Sequence, residues 1–377
     1  MKHENLRIEV ADALRGIAVI GIILFHAVES FDAFYPDARL TLPCDETVYH
    51  IVTFLFSGKM YGIFAMLFGL TFYIMLNRSM TRTRFAWRMV LLFVIGLANI
   101  AIYDGDILTT YALCGLLLIP CSRLSNRWLW VITIAVLAQP FELWQLLSGW
   151  TMPSDWIWDE YAMLAHHHQE SGFWQNVILN LQYAFPANLG YFALTGRLTQ
   201  IFGLFLLGLL FGRYRLFINE GRNLFIWKCI FIVSLMLAII GSWWQAEYTI
   251  NQQPASIAHY LSPIINLAIL LAETSAIVLL WYASAQLRKL LSPVCAFGRM
   301  SLSNYLLQSL LGCFLFYGWG LGLYSELGHT YALLAGIMMV VFQLVLSSLW
   351  AHSHQRGPAE SLWRKATYIS LNNLCRP

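Results

Sequence analysis

Arg15 and His26 stand eleven residues apart in the first long apolar stretch of a 377-residue chain, LRGIAVIGIILFHAVESF. Eleven helical steps of about 100° return to within roughly 20° of the starting direction, so both side chains share one face, about 16 Å apart along the axis. Neutral imidazole costs little to bury and gains or loses a proton near pH 7, which makes His26 a candidate general acid or base. Asp12 and Glu29 fall in the same arc, so the face is polar at both ends, with Val19 and Ile22 between. Gly16 borders it and lets another helix approach closely. The competing reading is polar helix packing, with Arg15 snorkelling to the headgroups.

Other polar residues inside apolar runs each cost about 2.5 to 3.5 kcal/mol at a helix centre unless they face protein or water. Late in the chain, GRMSLSNYLLQS places Ser301, Asn304 and Gln308 on one face with Arg299 at its entrance. Hydrogen bonding between helices is the structural alternative there. Ser262, Asn266 and Glu273 share a second face, and Glu273 is a mid-span carboxylate that must be protonated or paired with a cation. Arg197, His26 or Lys59 could supply the cation. Arg197 and Lys59 sit near the outer ends of their runs, where snorkelling would also satisfy them.

The elements that position these residues follow from composition. The chain is 59% hydrophobic and 11% charged, with a mean hydropathy of +0.61. That is more apolar surface than a soluble domain of this length can bury, so we expect a single all-α polytopic membrane domain over residues 1–377. Apolar runs predict about ten spans, near 13–32, 56–76, 85–103, 106–121, 127–148, 189–211, 223–244, 258–283, 298–319 and 330–351. Alternate loops are basic: Lys2 and Arg7; Arg78, Arg82, Arg84 and Arg88; Arg123 and Arg127; Arg213, Arg215 and Arg222; Arg288 and Lys289; Arg356, Arg364 and Lys365. The loops between them are poor in Lys and Arg and carry acidic residues such as Asp32, Asp37, Asp104 and Asp106. The alternation puts both termini and the tail 352–377 in the cytoplasm. A net charge of +3 confined to short loops speaks to orientation rather than to nucleic acid.

A longer outer segment, 149–188, precedes the sixth span and is rich in Trp, Tyr and acidic residues, which suits a helix lying at the membrane interface. Its His166, His167 and His168 point about 100° apart on a helix and do not converge on one ion, so no metal is expected. The seven cysteines, Cys375 among them, are scattered without metal spacing and read as packing residues. No phosphate-binding Gly-rich loop, zinc-protease motif or nucleophile elbow is present.

The blocks DALRGIAVIGIILFH, KMYGIFAMLFGLTF, GDILTTYALCGLLLIP, LFLLGLLFGRY, FGRMSLSNYLLQS and RGPAESLWR occur in the order that marks the YeiB-like family, bacterial inner-membrane proteins carrying a domain-of-unknown-function label. That family resembles, at a distance, the acyltransferase-3 proteins and heparan-alpha-glucosaminide N-acetyltransferase, with their ten-helix acyltransferase core. Acyltransferase-3 proteins carry a basic residue, ten others and then a histidine in the first helix, and Arg15 to His26 matches that pattern. Many YeiB-like members have Asn at the His26 position. The resemblance implies a multi-pass inner-membrane acyltransferase with acyl-CoA, acetyl-CoA above all, as donor. Arg15 and Arg299, with Ser301 and Asn304, would meet the donor; His26 would take the acceptor proton or carry the acyl group; Glu29 or Glu273 would orient the imidazole. The expected partners are membrane lipids and an envelope carbohydrate or small-molecule acceptor, with homo-oligomerisation open. A transporter built on the same buried charges, or a non-catalytic scaffold, are the competing functions.

Overall fold

The computed structural model describes residues 8–32, 38–218, 221–250 and 255–374. Lys2, Arg7, Asp37 and Cys375 lie outside the described residues. Eighteen α-helices are present among the described residues. The first seven are α1 (Glu9–Val28), α2 (Asp45–Phe56), α3 (Met60–Asn77), α4 (Arg82–Ile100), α5 (Leu108–Cys121), α6 (Asn126–Leu137) and α7 (Pro140–Ser148). Next come α8 (Asp155–Glu170), α9 (Phe173–Leu179), α10 (Phe185–Leu194) and α11 (Arg197–Arg213). The last seven are α12 (Gly221–Ile250), α13 (Ala255–Ala283), α14 (Ala285–Leu290), α15 (Ser292–Arg299), α16 (Ser301–Phe316), α17 (His329–Ser353) and α18 (Pro358–Leu374). A lone β-bridge joins Leu40 and Leu327.

Six helical stretches among the described residues are long and apolar enough to cross a membrane: Glu9–Val28, Asp45–Asn77, Arg82–Ile100, Gly221–Glu247, Tyr260–Ala283 and His329–Ser353. Two further candidates are broken, α6 with α7 at 43° and Phe173–Leu194 with α11 at 75°, while α5 and α16 are shorter apolar helices. All ten apolar runs read from the sequence therefore fall on helices, but the breaks are invisible to hydropathy. They survive because neighbours supply the freed backbone groups with partners. Gln139 takes a left-handed backbone before Pro140, and Gly196 does the same (φ +67°) before Arg197. The two breaks meet where Gln139 lies 2.6 Å from Thr199 Oγ1.

Helix α1 runs through the interior, packed by α3, α15, α16 and α17. The closest crossing is α3 on α11, where a side chain on Gly69 would strike the Phe205 carbonyl and one on Gly208 the Met66 carbonyl. Small residues on facing helices are how membrane proteins bring backbones into van der Waals range. By contrast, α12 packs on α13 and leaves Ile232, Val233, Leu237, Ile239 and Trp243 exposed. Helix α17 exposes a similar row, including Leu334, Met338, Val341 and Val345. Apolar surface of that extent belongs to a protein whose solvent is lipid.

Candidate functional site

The site is built at two ends of α1. At one end the arginines gather around a cavity of about 780 Å³, within the size range of small-molecule sites. Arg15, Arg78, Arg88, Arg299, Arg356 and Arg364 line it, against the carboxylates Asp12 and Glu360. Its exposed rim includes Arg78, Gln355, Arg356 and Arg364. From there the lining follows one face of α3 through Met75, Thr71 and Phe68 to Phe64, a rise of about 21 Å for fourteen residues. Leu108, Tyr111 and Tyr305 contribute further apolar wall. A charged rim with an apolar shaft suits a long ligand that is anionic at one end only.

Arg15 is held rather than snorkelling: its guanidinium donates to Asp12 Oδ1 at 3.0 Å and to Thr71 Oγ1 at 2.5 Å. Arg299 and Ser301 also face this cavity. Asn304, on the same sequence stripe, does not line it; its amide donates to Ser347 Oγ and the Phe297 carbonyl and stitches α16 to α17. Gln308 is fully buried further along, donating to Ser309 Oγ at 3.5 Å. The segment read as a tail supplies the cavity's outer wall, because α18 folds back over the rim. Glu360 accepts from the Leu302 and Ser303 amides and the Ser303 hydroxyl, capping α16. Arg88 stacks on the Trp363 ring at 3.4 Å, and the Trp363 indole donates to the Arg88 carbonyl. These partners explain the RGPAESLWR block.

At the other end of α1, the His26 ring lies against Phe25, Phe31 and Tyr103. The Tyr103 hydroxyl lies 2.8 Å from His26 Nδ1 and donates to Asp32 Oδ2 at 2.7 Å. Asp32 reaches that position because Ser30, Phe31 and Asp32 all adopt left-handed backbone, φ +53°, +56° and +61°. Each such non-glycine residue costs roughly 1–2 kcal/mol, and Tyr317 steadies the turn by donating to the Phe31 carbonyl. Arg197 acts electrostatically on both His26 and Glu29, while its guanidinium lies over the Tyr191 and Tyr61 rings at 4.8 and 5.6 Å. His26, Glu29 and Asp32 each offer a ligand atom within 4.8 Å of the others. Tyr103 engages Nδ1 and Oδ2, and the Arg197 charge acts on both His26 and Glu29.

The outer segment closes over this end. Asp104, in the loop after α4, is held above the usual carboxylate range by burial and by the Asp32 charge. Asn188 donates to its backbone carbonyl and Tyr161 donates to Asn188, tying α8 and α10 to that loop. His168 is buried, stacked on Tyr317 at 4.2 Å and hydrogen-bonded to Asn180; burial pushes its imidazole down to about 4. His166 points to solvent, so the three histidines diverge as their spacing requires. Glu273 is not beside His26. Lys59 is the cation that acts on it, and Asn266 packs on Gly58 next to that lysine.

Residues 7–253 match the family described as heparan-alpha-glucosaminide N-acetyltransferase, catalytic. The chain belongs to that family. Residues 211–370 match the Protein of unknown function (DUF418) family, which covers the part of this family member that builds α18 over the cavity. Among its relatives, Uncharacterized protein YxaH of Bacillus subtilis (strain 168) is 28% identical over 99% of this chain and 97% of its own. Uncharacterized protein YeiB of Escherichia coli (strain K12) is 26% identical over 94% and 95%.

Sequence reasoning named Arg15, His26, Glu29 and Arg299 but passed over Tyr103, Asp32, Phe64 and Glu360 as site residues. Tyr103 and Asp32 carried a weak signal, as polar residues flanking the predicted ends of apolar runs. Arg78, Arg88, Arg356 and Arg364 were visible as loop charges, and only the fold turns them toward one cavity.

Proposed function

We propose that this chain is a membrane-embedded acyltransferase of the bacterial inner membrane, with about ten spans, both termini cytoplasmic, and acyl-CoA as the cytoplasmic donor. The arginine-rimmed cavity is the observation that carries the reading. Its six arginines suit the phosphates of a nucleotide-headed thioester, and the apolar shaft along α3 suits the arm and acyl group. The shaft ends at Phe64, which also packs with the cluster that holds Val19, Phe31 and Tyr103 around His26. One helix thus carries a donor-binding arginine and a proton-handling histidine.

In the transfer, the thioester C–S bond breaks and a C–O or C–N bond to the acceptor forms. The acceptor hydroxyl or amine gives its proton to His26, which passes it to the departing thiolate, so the products are the acylated acceptor and a free thiol. Arg15 and Arg299 bind; Asp32 and Arg197 set the field around the imidazole, with Glu29 within 4.8 Å of it. An envelope carbohydrate or small-molecule acceptor would approach His26 from the side covered by the segment 149–188.

The test is acetyl-CoA binding and thioester consumption by the purified protein in detergent. Binding with slow turnover, both weakened by Arg15→Ala, is the expected result. A protein that neither binds nor consumes any acyl-CoA, while vesicles containing it accumulate a solute, would replace this reading with transport.

A further inference from the structure

We infer that Tyr103, polarised by Asp32, fixes the His26 imidazole in the tautomer with hydrogen on Nδ1 and leaves Nε2 as the atom that takes the acceptor proton. The assignment follows from counting hydrogens. A tyrosine hydroxyl has one proton to donate, and a carboxylate can only accept. The Tyr103 hydroxyl gives its proton to Asp32 Oδ2 at 2.7 Å. Its second contact, 2.8 Å to His26 Nδ1, must then run the other way, with Nδ1–H donating to the tyrosine oxygen. Among the described residues no protein group hydrogen-bonds Nε2. The polarity of the chain is therefore set at Asp32, two bonds away from the ring it controls.

Three features hold this arrangement in one orientation. Asp32 is presented by the left-handed turn Ser30–Asp32, whose Phe31 is fully buried and stacked on Phe316. Tyr103 is fully buried and makes edge contacts with both Phe31 and His26. The loop that carries Tyr103 is tied to the outer segment through Asn188. Tyr103 and Asp32 are thus positioning residues, acting through His26 much as an orienting carboxylate acts on a catalytic imidazole, but with a tyrosine inserted in the chain. The tautomer stands independently of catalysis; the role of Nε2 rests on the acyltransferase reading above.

The test is the His26 tautomer itself, read from long-range proton–nitrogen correlations of protein labelled with ¹⁵N-histidine in detergent micelles. The ten histidines are resolved by subtracting the spectrum of His26→Gln. The wild type is expected to show a protonated-type Nδ1 and an unprotonated-type Nε2. Asp32→Ala frees the Tyr103 hydroxyl to donate to Nδ1 and should move the proton to Nε2. Tyr103→Phe should leave a mixture of tautomers and, in the turnover assay, lower kcat by about 10²-fold with the KM for acetyl-CoA unchanged. A wild-type His26 with hydrogen on Nε2 overturns the inference, as does a Tyr103→Phe protein with unaltered tautomer and turnover. Once His26→Gln has assigned the His26 signals, the wild-type spectrum decides the tautomer, so a misfolded Asp32 or Tyr103 variant does not blunt the test. If the tautomer is as stated and no acyl-CoA is bound or consumed, the relay stands and the acyltransferase reading falls.

Discussion

The two ends of α1 solve different problems with different redundancy. At the basic end six arginines share one cavity, and Arg78, Arg356 and Arg364 among them are solvent-exposed. At the far end one imidazole is held by one tyrosine, which is held by one carboxylate on a strained turn. Charge recognition tolerates plurality because exposed charges act at a distance through screened fields. Proton transfer does not, because it needs one atom within hydrogen-bond reach. Mutations should therefore grade smoothly at the basic end and act all-or-none at the far end.

The largest expected effect is at His26. His26→Ala should lower turnover by about 10²–10⁴-fold, the contribution usual for general acid–base catalysis, without weakening acetyl-CoA binding measured by calorimetry. Next comes Phe64, which stands between the two regions. Phe64→Trp should leave donor affinity unchanged and slow transfer by roughly 10²-fold, since small misplacements of reacting groups cost that much; unchanged turnover would mean that the acyl group travels by another path. Arg15→Ala should weaken donor affinity about tenfold, as expected for one charge-assisted hydrogen bond, and the loss should shrink at high salt.

The asymmetry between the ends also explains what could be read from the sequence. Arg15 and His26 share one continuous helix, so helical periodicity alone places them on one face. Tyr103 and Asp32 belong to different loops, and their meeting depends on a left-handed turn of three non-glycine residues that no local propensity encodes. The same limit hid the partner of Glu273, since Lys59 lies in the short turn between α2 and α3. Asn304 looked like a cavity residue because a stripe at i, i+3 and i+7 has two possible neighbours, and here it faces α17. Residues 352–377 read as a cytoplasmic tail because α18 covers a rim rather than a core, and the Glu360 cap, the Arg88 stack and the Trp363 and Trp87 indole hydrogen bonds give α18 its place.

Two smaller effects sharpen the contrast without touching the chemistry. Glu360→Ala removes the cap of α16 and should cost about 0.5–2 kcal/mol of stability in a thermal melt, with faster hydrogen exchange over α18. At the far end, His168 stays neutral in its buried place because its pKa there is near 4 against the usual 6.5. The undocked state then binds the proton more readily, so docking of α8 is fully stable above pH 6.5 and weakens as pH falls toward 4, by about 1.4 kcal/mol per pH unit. Hydrogen exchange of α8 at pH 7 and pH 5 should show this slope in the wild type, and His168→Gln should abolish it.

The division of labour along α1 is tested most directly by measuring acetyl-CoA affinity and thioester consumption on the same sample of His26→Ala. Affinity equal to that of the wild type with consumption abolished is the predicted result. Loss of binding together with turnover, or turnover that survives without His26, would contradict it.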